Sequence, residues 1–264
     1  MAYTVVFVHA HPDDEALLTS GTMAQLALQG QRVVLVTATD GAAGLAETAV
    51  MGCDLAAVRH EELEASARLL GVDAVHWLGY GDSGLNAEVL PQPDAPMPLA
   101  YAPREEVVAR LATILRDEAA AVVIGYDPNG GYGHPDHITV HEAVYEAAAA
   151  AGVPRILEAT LPRDPLSKLF HRLRWIRHWV NTFDPTAFDD AYTPACEVTH
   201  RIDVRHLVDV KRRSLQAHAS QQAGGRVPRT ISLLLALPTW LYRRLFGHEY
   251  YVERGATTGH TALL

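Results

Sequence analysis

The first 160 residues alternate between short apolar segments and longer segments with helical spacing. The apolar segments are rich in β-branched residues and are short enough to be strands buried on both faces. They cover residues 4–8, 32–37, 74–78, 121–125 and 155–161. The intervening helical segments cover residues 15–30, 55–71, 104–119 and 137–151. This alternation predicts an α/β fold with a Rossmann-like, open and mostly parallel sheet that carries helices on both faces.

Beyond residue 162 the pattern changes, and we expect the C-terminal part to form a cover of helices and short strands. The predicted elements are a basic amphipathic helix at 166–180, a strand within 196–204, a helix at 206–221, an apolar segment at 230–246 and a last strand at 250–252. We predict a single domain, 1–264, with 163–264 as its specificity and cover region. The segments 163–195 and 223–248 leave three alternatives open: core helices, an interface of a homo-oligomer, or a lid over a lipidic or anionic substrate.

Charge is divided unevenly along the chain. The first 150 residues contain 6 arginines, no lysine and 21 acidic residues, a net charge of −15, whereas the remainder carries +6. Such a division can mark a nucleic-acid or membrane surface, or two parts of one fold that complement each other, and we favour the last interpretation. The acidic first part argues against nucleic acid as a partner.

The N-terminus, the apolar segments and the cysteines exclude further classes. No basic region precedes the first apolar residues, so we expect no signal peptide and a cytoplasmic protein. The longest apolar stretch, residues 231–242, is interrupted by Pro238 and is shorter than the roughly 20 residues of a membrane-spanning helix. Cys53 and Cys196 do not form a CxxC pair, so a metal site would have to use histidine and carboxylate ligands.

Residues suited to catalysis follow two of the predicted strands at the point where each strand ends. The first group is His11, Asp13 and Asp14, and the second is Asp127, His134, Asp136 and His137 within YDPNGGYGHPDH at 126–137. Because the carboxyl ends of parallel strands open at the same edge of a sheet, we expect the two groups to meet there. The alternative for Asp13, Asp14 and Glu15 is that they cap a helix and interact with its dipole.

These residue types are typical of a catalytic zinc site, which takes three histidine or carboxylate ligands and leaves one position open for water. His11, Asp14 and His137 supply such a set, and Fe²⁺ or Co²⁺ would also accept it. Asp13 is then free to act as general base on the bound water. A competing choice pairs His137 with His141 one helical turn further on, but we favour His141 as a packing residue.

The motifs AHPDDE at 10–15 and GHPDH at 133–137 together resemble the LmbE/PIG-L family of zinc-dependent N-acetylglucosamine deacetylases. The longer phrase at 126–137 is most similar to the branch that contains the mycothiol-pathway deacetylase and the mycothiol-conjugate amidase. The resemblance covers about the first 160 residues and residues 214–221. It implies a zinc hydrolase that removes an N-acetyl group from a small-molecule substrate, an N-acetylglucosamine-type amino sugar.

The resemblance also implies roles for individual residues. The implied metal ligands are His11, Asp14 and His137, and the implied catalytic residues are Asp13 as base, His134 with Asp136 behind it as acid or oxyanion stabiliser, and Tyr132 polarising the amide carbonyl. Arg59 and Asp82 would contact sugar hydroxyls, and His218 would lie near the mouth of the pocket. Two alternatives stay open: an amidase that releases a larger acyl group from a thiol conjugate, and a non-catalytic sugar-binding protein.

Overall fold

The structure, a computed structural model, describes residues 2–43, 54–175, 184–222 and 230–263. The strands found in these residues are β1 (Thr4–His9), β2 (Arg32–Thr39), β3 (Ala74–Tyr80), β4 (Val122–Tyr126), β5 (Arg155–Thr160), β6 (His200–Asp203) and β7 (His248–Glu253). The helices are α1 (Asp14–Leu18), α2 (Ser20–Leu28), α3 (Leu55–Leu70), α4 (Arg104–Asp117), α5 (Gly130–Gly133), α6 (Pro135–Ala151), α7 (Arg163–Arg172), α8 (Val208–Ala217), α9 (Thr230–Ala236) and α10 (Thr239–Phe246). Short 3-10 turns lie at Leu99–Tyr101, Arg205–Leu207 and Ala219–Gln221.

The strands form a mixed sheet in the order β3-β2-β1-β4-β5-β7-β6. The first five strands pair in parallel, and β7 runs antiparallel between β5 and β6. This confirms the open and mostly parallel α/β sheet that the alternation predicts. The strand order reverses between the neighbours β1 and β4. Such a reversal opens a crevice at the carboxyl ends of the two strands, where α/β proteins bind their ligands.

Alternate residues of β1 face two different apolar layers. Val6 and Val8 face the layer that α4 and α6 cover, whereas Val5 and Phe7 face the layer on the other side, which α2 and α3 cover. All four side chains are fully buried. This is the pattern of a central strand with helices on both faces, and its burial of apolar surface is the main force that holds the layers together.

The predicted strands of the first 160 residues are all present, with ends that differ by no more than two residues. The C-terminal part adds β6 and β7 to the sheet, so part of the predicted cover belongs to the sheet itself. The basic stretch at 166–180 is helical up to Arg172, and its residues 176–180 lie outside the described residues. The apolar segment at 230–246 forms two helices, because Pro238 cannot continue α9 and instead precedes α10.

The predicted helix at 15–30 is divided in two at Thr19, where the backbone has φ −131° and ψ 0°. Glu249 of β7 accepts hydrogen bonds from the main-chain nitrogens of Gly21 (2.8 Å) and Thr22 (2.7 Å) at the start of α2. Glu249 also forms a buried ion pair with Lys211 of α8. Gly21 and Glu249 are 228 positions apart, so the helical period of the segment could not reveal this break.

Several apolar side chains of the cover remain exposed. Trp175 is 58% exposed and Trp240 is 69% exposed. The helix α9 packs through Ile231 against Ala16 of α1, the helix that follows β1. Within the described ranges, no helix combines the length and the apolar character needed to cross a membrane.

We expect Lys211→Met to lower the free energy of unfolding by about 3–5 kcal/mol, because Glu249 would lose its cation while remaining in the interior. Urea titration measures this free energy. The control is Arg104→Met, which removes exposed ion pairs with Glu142 and Glu146 and should cost less than about 1 kcal/mol. A loss in Lys211→Met no larger than in the control would contradict a stabilising role for the buried pair.

Candidate metal and catalytic site

The carboxyl ends of β1, β3 and β4 bring the two predicted groups of residues into one buried cluster. His11 and Asp14 follow β1, Asp82 follows β3, and His137 lies in the first turn of α6 after β4. All four side chains are buried. The cluster therefore lies at the edge where the strand order reverses.

Three side-chain atoms form a close triangle at the centre of this cluster. The atoms His11 Nδ1, His137 Nε2 and Asp14 Oδ2 lie 3.3 Å from one another along all three edges. Four ligand atoms about 2.0–2.1 Å from a tetrahedral zinc ion are separated from one another by about 3.3 Å. The triangle thus fits three corners of such a site, and its members are the three ligands that the sequence predicts.

The charges around the triangle also favour a cation. Asp14, Asp82 and Asp136 are buried, and among the described residues their ion pairs are with histidines rather than with lysine or arginine. Buried carboxylates normally have a cationic partner or coordinate a metal. Two wider sets of potential ligand atoms within 4.8 Å of one another also occur here: His11, His134 and His137, and His11, Asp82, His134 and Asp136. The cluster can therefore hold a metal ion.

Hydrogen bonds determine which atoms of His11 and Asp14 face the triangle. His11 Nε2 lies 3.1 Å from Asp136 Oδ2, so Nε2 carries a proton, and in the neutral ring the lone pair of Nδ1 would face the triangle. Asp14 Oδ2 accepts hydrogen bonds from the Tyr126 hydroxyl (2.6 Å) and from the main-chain nitrogen of His11 (3.0 Å). Burial opposes ionisation of Asp14, but His137 and His11 hold the pKa of this carboxyl well below its usual value.

Asp13 lies next to the triangle and faces Arg59. It occupies the N-cap position of α1 with φ 105°, but its side chain makes no capping hydrogen bond. Its Oδ2 lies 3.1 Å from Arg59 Nη2 instead, so helix capping does not explain this carboxylate. Burial raises the pKa of Asp13 to about 6, although Arg59 acts in the opposite direction. A carboxyl with this pKa is mostly ionised at neutral pH and is suited to accept a proton.

His134 caps α6 with its ring. Nδ1 accepts a hydrogen bond from the main-chain nitrogen of Asp136 (3.2 Å), so the neutral ring carries its proton on Nε2. Burial, together with the neighbouring His11 and His137, lowers the pKa of His134 to about 4. The Asp136 carboxylate instead accepts hydrogen bonds from His11 and from the main-chain nitrogen of Ser83 (3.0 Å). The family resemblance implies that Asp136 lies behind His134. In the structure Asp136 contacts the His134 ring through its own main-chain nitrogen, and the Asp136 carboxylate offsets only part of the fall in the pKa of His134.

Tyr132 lies on a kinked turn between β4 and α6. The preceding Gly131 has φ 65° and ψ −100°, a conformation that glycine adopts at little cost. A Cβ at Gly131 would also lie 3.0 Å from the Tyr192 ring. The Tyr132 side chain is 47% exposed, and its ring centroid lies 5.3 Å from that of His137. Tyr132 therefore stands at the open side of the cluster.

The three residues expected to contact the sugar lie in different settings. Asp82 belongs to the cluster, with Oδ1 3.4 Å from the ring nitrogen of a triangle histidine. Arg59 is 3% exposed, and its guanidinium is bound to Asp13 and to main-chain oxygens. His218 is fully buried, with Nε2 2.7 Å from Glu15 Oε1. Arg59 and His218 are thus buried and bound to protein groups, although Nε of Arg59 and Nδ1 of His218 have no hydrogen-bond partner among the described residues.

Two residues of the site are missing from the sequence-based set. Tyr126 ends β4 and has the pattern of a core residue, so only its contact with Asp14 reveals its place in the site. Glu15 reads as a helix cap, but it is fully buried and bound to Asp13, Ser66 and His218. The sequence could have indicated both residues only by their position, because Tyr126 begins the motif at 126–137 and Glu15 ends the motif at 10–15.

Comparison with known proteins identifies the family. The family model described as PIG-L, GlcNAc-PI de-N-acetylase, matches residues 6–148. A 1D-myo-inositol 2-acetamido-2-deoxy-alpha-D-glucopyranoside deacetylase from Acidothermus cellulolyticus is 34% identical, over 96% of this chain and 89% of its own length. The chain belongs to the PIG-L family. This confirms the family that the motifs at 10–15 and 133–137 indicate.

Two further PIG-L-like relatives support the assignment. A deacetylase of the same name from Kineococcus radiotolerans is 38% identical over 82% of this chain and 68% of its own length. Among solved structures, N,N'-diacetylchitobiose deacetylase from Pyrococcus horikoshii, complexed with an inhibitor, matches with a TM-score of 0.59 and 26% identity. That match covers 96% of this chain and 83% of the other. These three relatives of this PIG-L family protein are named deacetylases.

In this PIG-L family protein, Tyr126→Phe should weaken metal binding by about 10- to 100-fold, because Asp14 would lose the donor that orients it. The measurement is a Zn²⁺ titration in competition with a chromophoric chelator. The matched control is Tyr145→Phe, which removes a hydroxyl that donates to Glu158 (2.7 Å) outside the cluster. Equal metal affinity in the two variants would contradict an orienting role for Tyr126.

Proposed function

We propose that this protein hydrolyses the N-acetyl group of an N-acetylglucosamine-type amino sugar, linked as a glycoside to myo-inositol, in a metal-dependent reaction. The observation that carries the proposal is the 3.3 Å triangle of His11, Asp14 and His137 with a further carboxylate, Asp13, beside it. The names of the two bacterial relatives support the acetylated sugar and the inositol.

Zn²⁺ is the ion that we propose for the triangle, and Fe²⁺ and Co²⁺ suit the same three ligands. When bound, such an ion lowers the pKa of a water molecule from about 15.7 toward 7 and polarises a carbonyl group. The ligand set of one carboxylate and two neutral imidazoles leaves a net positive charge. Asp136 and Asp82, which both lie against the Nε2 side of His11, contribute two negative charges and so more than offset this single positive charge.

Asp13 is the proposed general base. Its side chain is 18% exposed, so the carboxylate can reach a water molecule in the crevice. In the reaction Asp13 takes a proton from the water that attacks the amide carbon. The C–N bond then breaks as the amine nitrogen receives the proton that Asp13 had accepted, and the product acetic acid loses its remaining proton to the amine or to solvent. A pKa of about 6 suits both transfers near neutral pH.

His134 and Tyr132 are the proposed hydrogen-bond donors to the oxyanion. The proton on His134 Nε2 is available because Nδ1 is occupied by the helix amide. The low pKa of His134, about 4, favours oxyanion binding over proton delivery, since few rings would carry a second proton at neutral pH. Burial and the carboxylates of Asp14 and Asp13 raise the pKa of Tyr132, so its hydroxyl also remains a donor.

Substrate contacts are assigned by position in the cluster. Asp82 lies in the cluster and is the proposed partner of a sugar hydroxyl. Arg59 and His218 are buried and bound to protein groups, so we assign them to holding Asp13 and its surroundings rather than to the sugar. We propose residues 163–264, which include the exposed Trp175 and Trp240, as the region that selects the rest of the substrate.

The zinc-loaded protein should release acetate from the N-acetylglucosamine glycoside of myo-inositol faster than it releases larger acyl groups from the same amine. Chelation should abolish the release, and added Zn²⁺ should restore it, because the water and the carbonyl would lose their activating ion. Proton NMR of the released acid measures both. Faster release of a bulky acyl group would identify an amidase, and sugar binding without hydrolysis would identify a binding protein.

Asp13→Asn should abolish turnover while the protein keeps about one metal ion per chain, because the base is not a ligand in this assignment. Asparagine tolerates the positive φ of this position, so the backbone should persist.

His134→Ala should keep the metal and lower kcat by roughly 10²- to 10⁴-fold. Metal analysis and steady-state kinetics test both variants. Loss of metal in Asp13→Asn would make Asp13 a ligand, and a near-normal rate in His134→Ala would remove that residue from the mechanism.

A further inference from the structure

Asp13 adopts a backbone conformation that is unfavourable for its residue type. Its φ is 105°, in the region that L residues rarely occupy, and it is not a glycine. A non-glycine residue held in such a region costs on the order of 1–3 kcal/mol and persists only where its surroundings enforce it. The contacts that enforce the conformation of Asp13 therefore bear on the residue proposed as general base.

Two side chains hold Asp13 from opposite sides of its backbone. Arg59 donates to the Asp13 carboxylate (3.1 Å) and to the carbonyl oxygen of the preceding Pro12. Glu15 Oε2 accepts the main-chain N–H of Asp13 (3.0 Å). Because the Glu15 contact acts on the peptide unit rather than on the carboxylate, it constrains the backbone angle directly.

Glu15 is itself fixed by two donors. It is fully buried, and its Oε1 lies 2.6 Å from Ser66 Oγ and 2.7 Å from His218 Nε2. His218 is also fully buried. The two oxygens of Glu15 therefore have separate tasks, because Oε2 holds Asp13 while Oε1 is anchored to α3 and to the end of α8.

One face of α3 carries the anchors. Arg59, Glu62 and Ser66 recur at helical spacing and so share that face. Glu62 accepts hydrogen bonds from the main-chain nitrogen (2.6 Å) and the hydroxyl (2.7 Å) of Ser220, in the turn directly after His218. The same helix thus fixes Asp13, Glu15 and the turn that carries His218.

We propose that Glu15 and His218 are positioning residues that keep the backbone of Asp13 in its left-handed conformation, so that its carboxylate faces the reacting water. This inference rests on the proposed function, in which Asp13 is the base. The chain also offers a comparison, because Glu249 is an equally buried carboxylate that accepts two main-chain N–H groups and pairs with a buried cation, Lys211, without contacting Asp13.

The test compares Glu15→Ala with Glu249→Ala in the zinc-loaded protein. Glu15→Ala should lower kcat by about 100-fold with little change in KM, since a small misplacement of a catalytic group has an effect of this size. Glu15→Gln should recover most of that loss, because its amide oxygen can still accept the Asp13 N–H while its NH₂ group donates to Nε2 of a neutral His218 ring that carries its proton on Nδ1. Glu249→Ala should lower Tm but leave kcat within about twofold of the wild type. Ser66→Ala, which removes one anchor of Glu15, serves as the milder variant if Glu15→Ala does not fold.

The second readout is independent of activity. Crystal structures of the metal-free variants should show Asp13 leaving the left-handed region in Glu15→Ala and keeping it in Glu249→Ala. A fall in kcat no greater than in Glu249→Ala, an unchanged φ at Asp13, or full recovery with excess Zn²⁺ would overturn the inference. If the wild type hydrolyses no N-acetyl sugar, the proposed function fails, but φ at Asp13 still decides whether Glu15 positions this residue.

Discussion

The parallel pairing of β1 with β4 is the constraint on which the site depends. Val5 pairs with Val122 and Phe7 with Ile124, so the two strands end side by side. Each strand then leads into a loop at the same edge of the sheet, so side chains of both loops can meet in the shared crevice. The hydrogen bond from Tyr126 to Asp14 (2.6 Å) joins the two loops directly, at a sequence separation of 112 residues. A shift in this register would separate His11 from His137 and dissolve the triangle.

Spacing and residue type predict the parts of the site that come from strand ends, and they fail where a side chain depends on distant contacts. His11, Asp14 and His137 could be grouped because each lies within a few residues of a predicted strand end. The orientation of the Asp136 side chain could not be predicted, because it depends on whether His11 or His134 contacts its carboxylate. The break at Thr19 and the burial of His218 likewise depend on Glu249 and Glu15, which lie far away along the chain.

The uneven charge of the chain acquires a local explanation. On sequence grounds we favour an acidic part and a basic part that complement each other. Among the described residues, however, every ion pair of a lysine or arginine joins two residues on the same side of position 150. The acidic part instead keeps Asp14, Asp82 and Asp136 together, with histidines as partners. A divalent cation at this point would offset charge that no lysine or arginine among the described residues pairs with.

The same local charge bears on why the proposed general base, Asp13, would be held by its backbone. Asp13 lies beside Asp14, and repulsion between the two carboxylates together with burial raises the pKa of Asp13 to about 6. Arg59 offsets part of this, but a stronger ion pair would lower the pKa and weaken Asp13 as a base. A contact to the main-chain N–H of Asp13 avoids that conflict, because it fixes the position of the residue without neutralising its carboxylate. The strained φ of Asp13 and the buried Glu15 therefore belong to one arrangement, in which geometry and basicity are controlled by different groups.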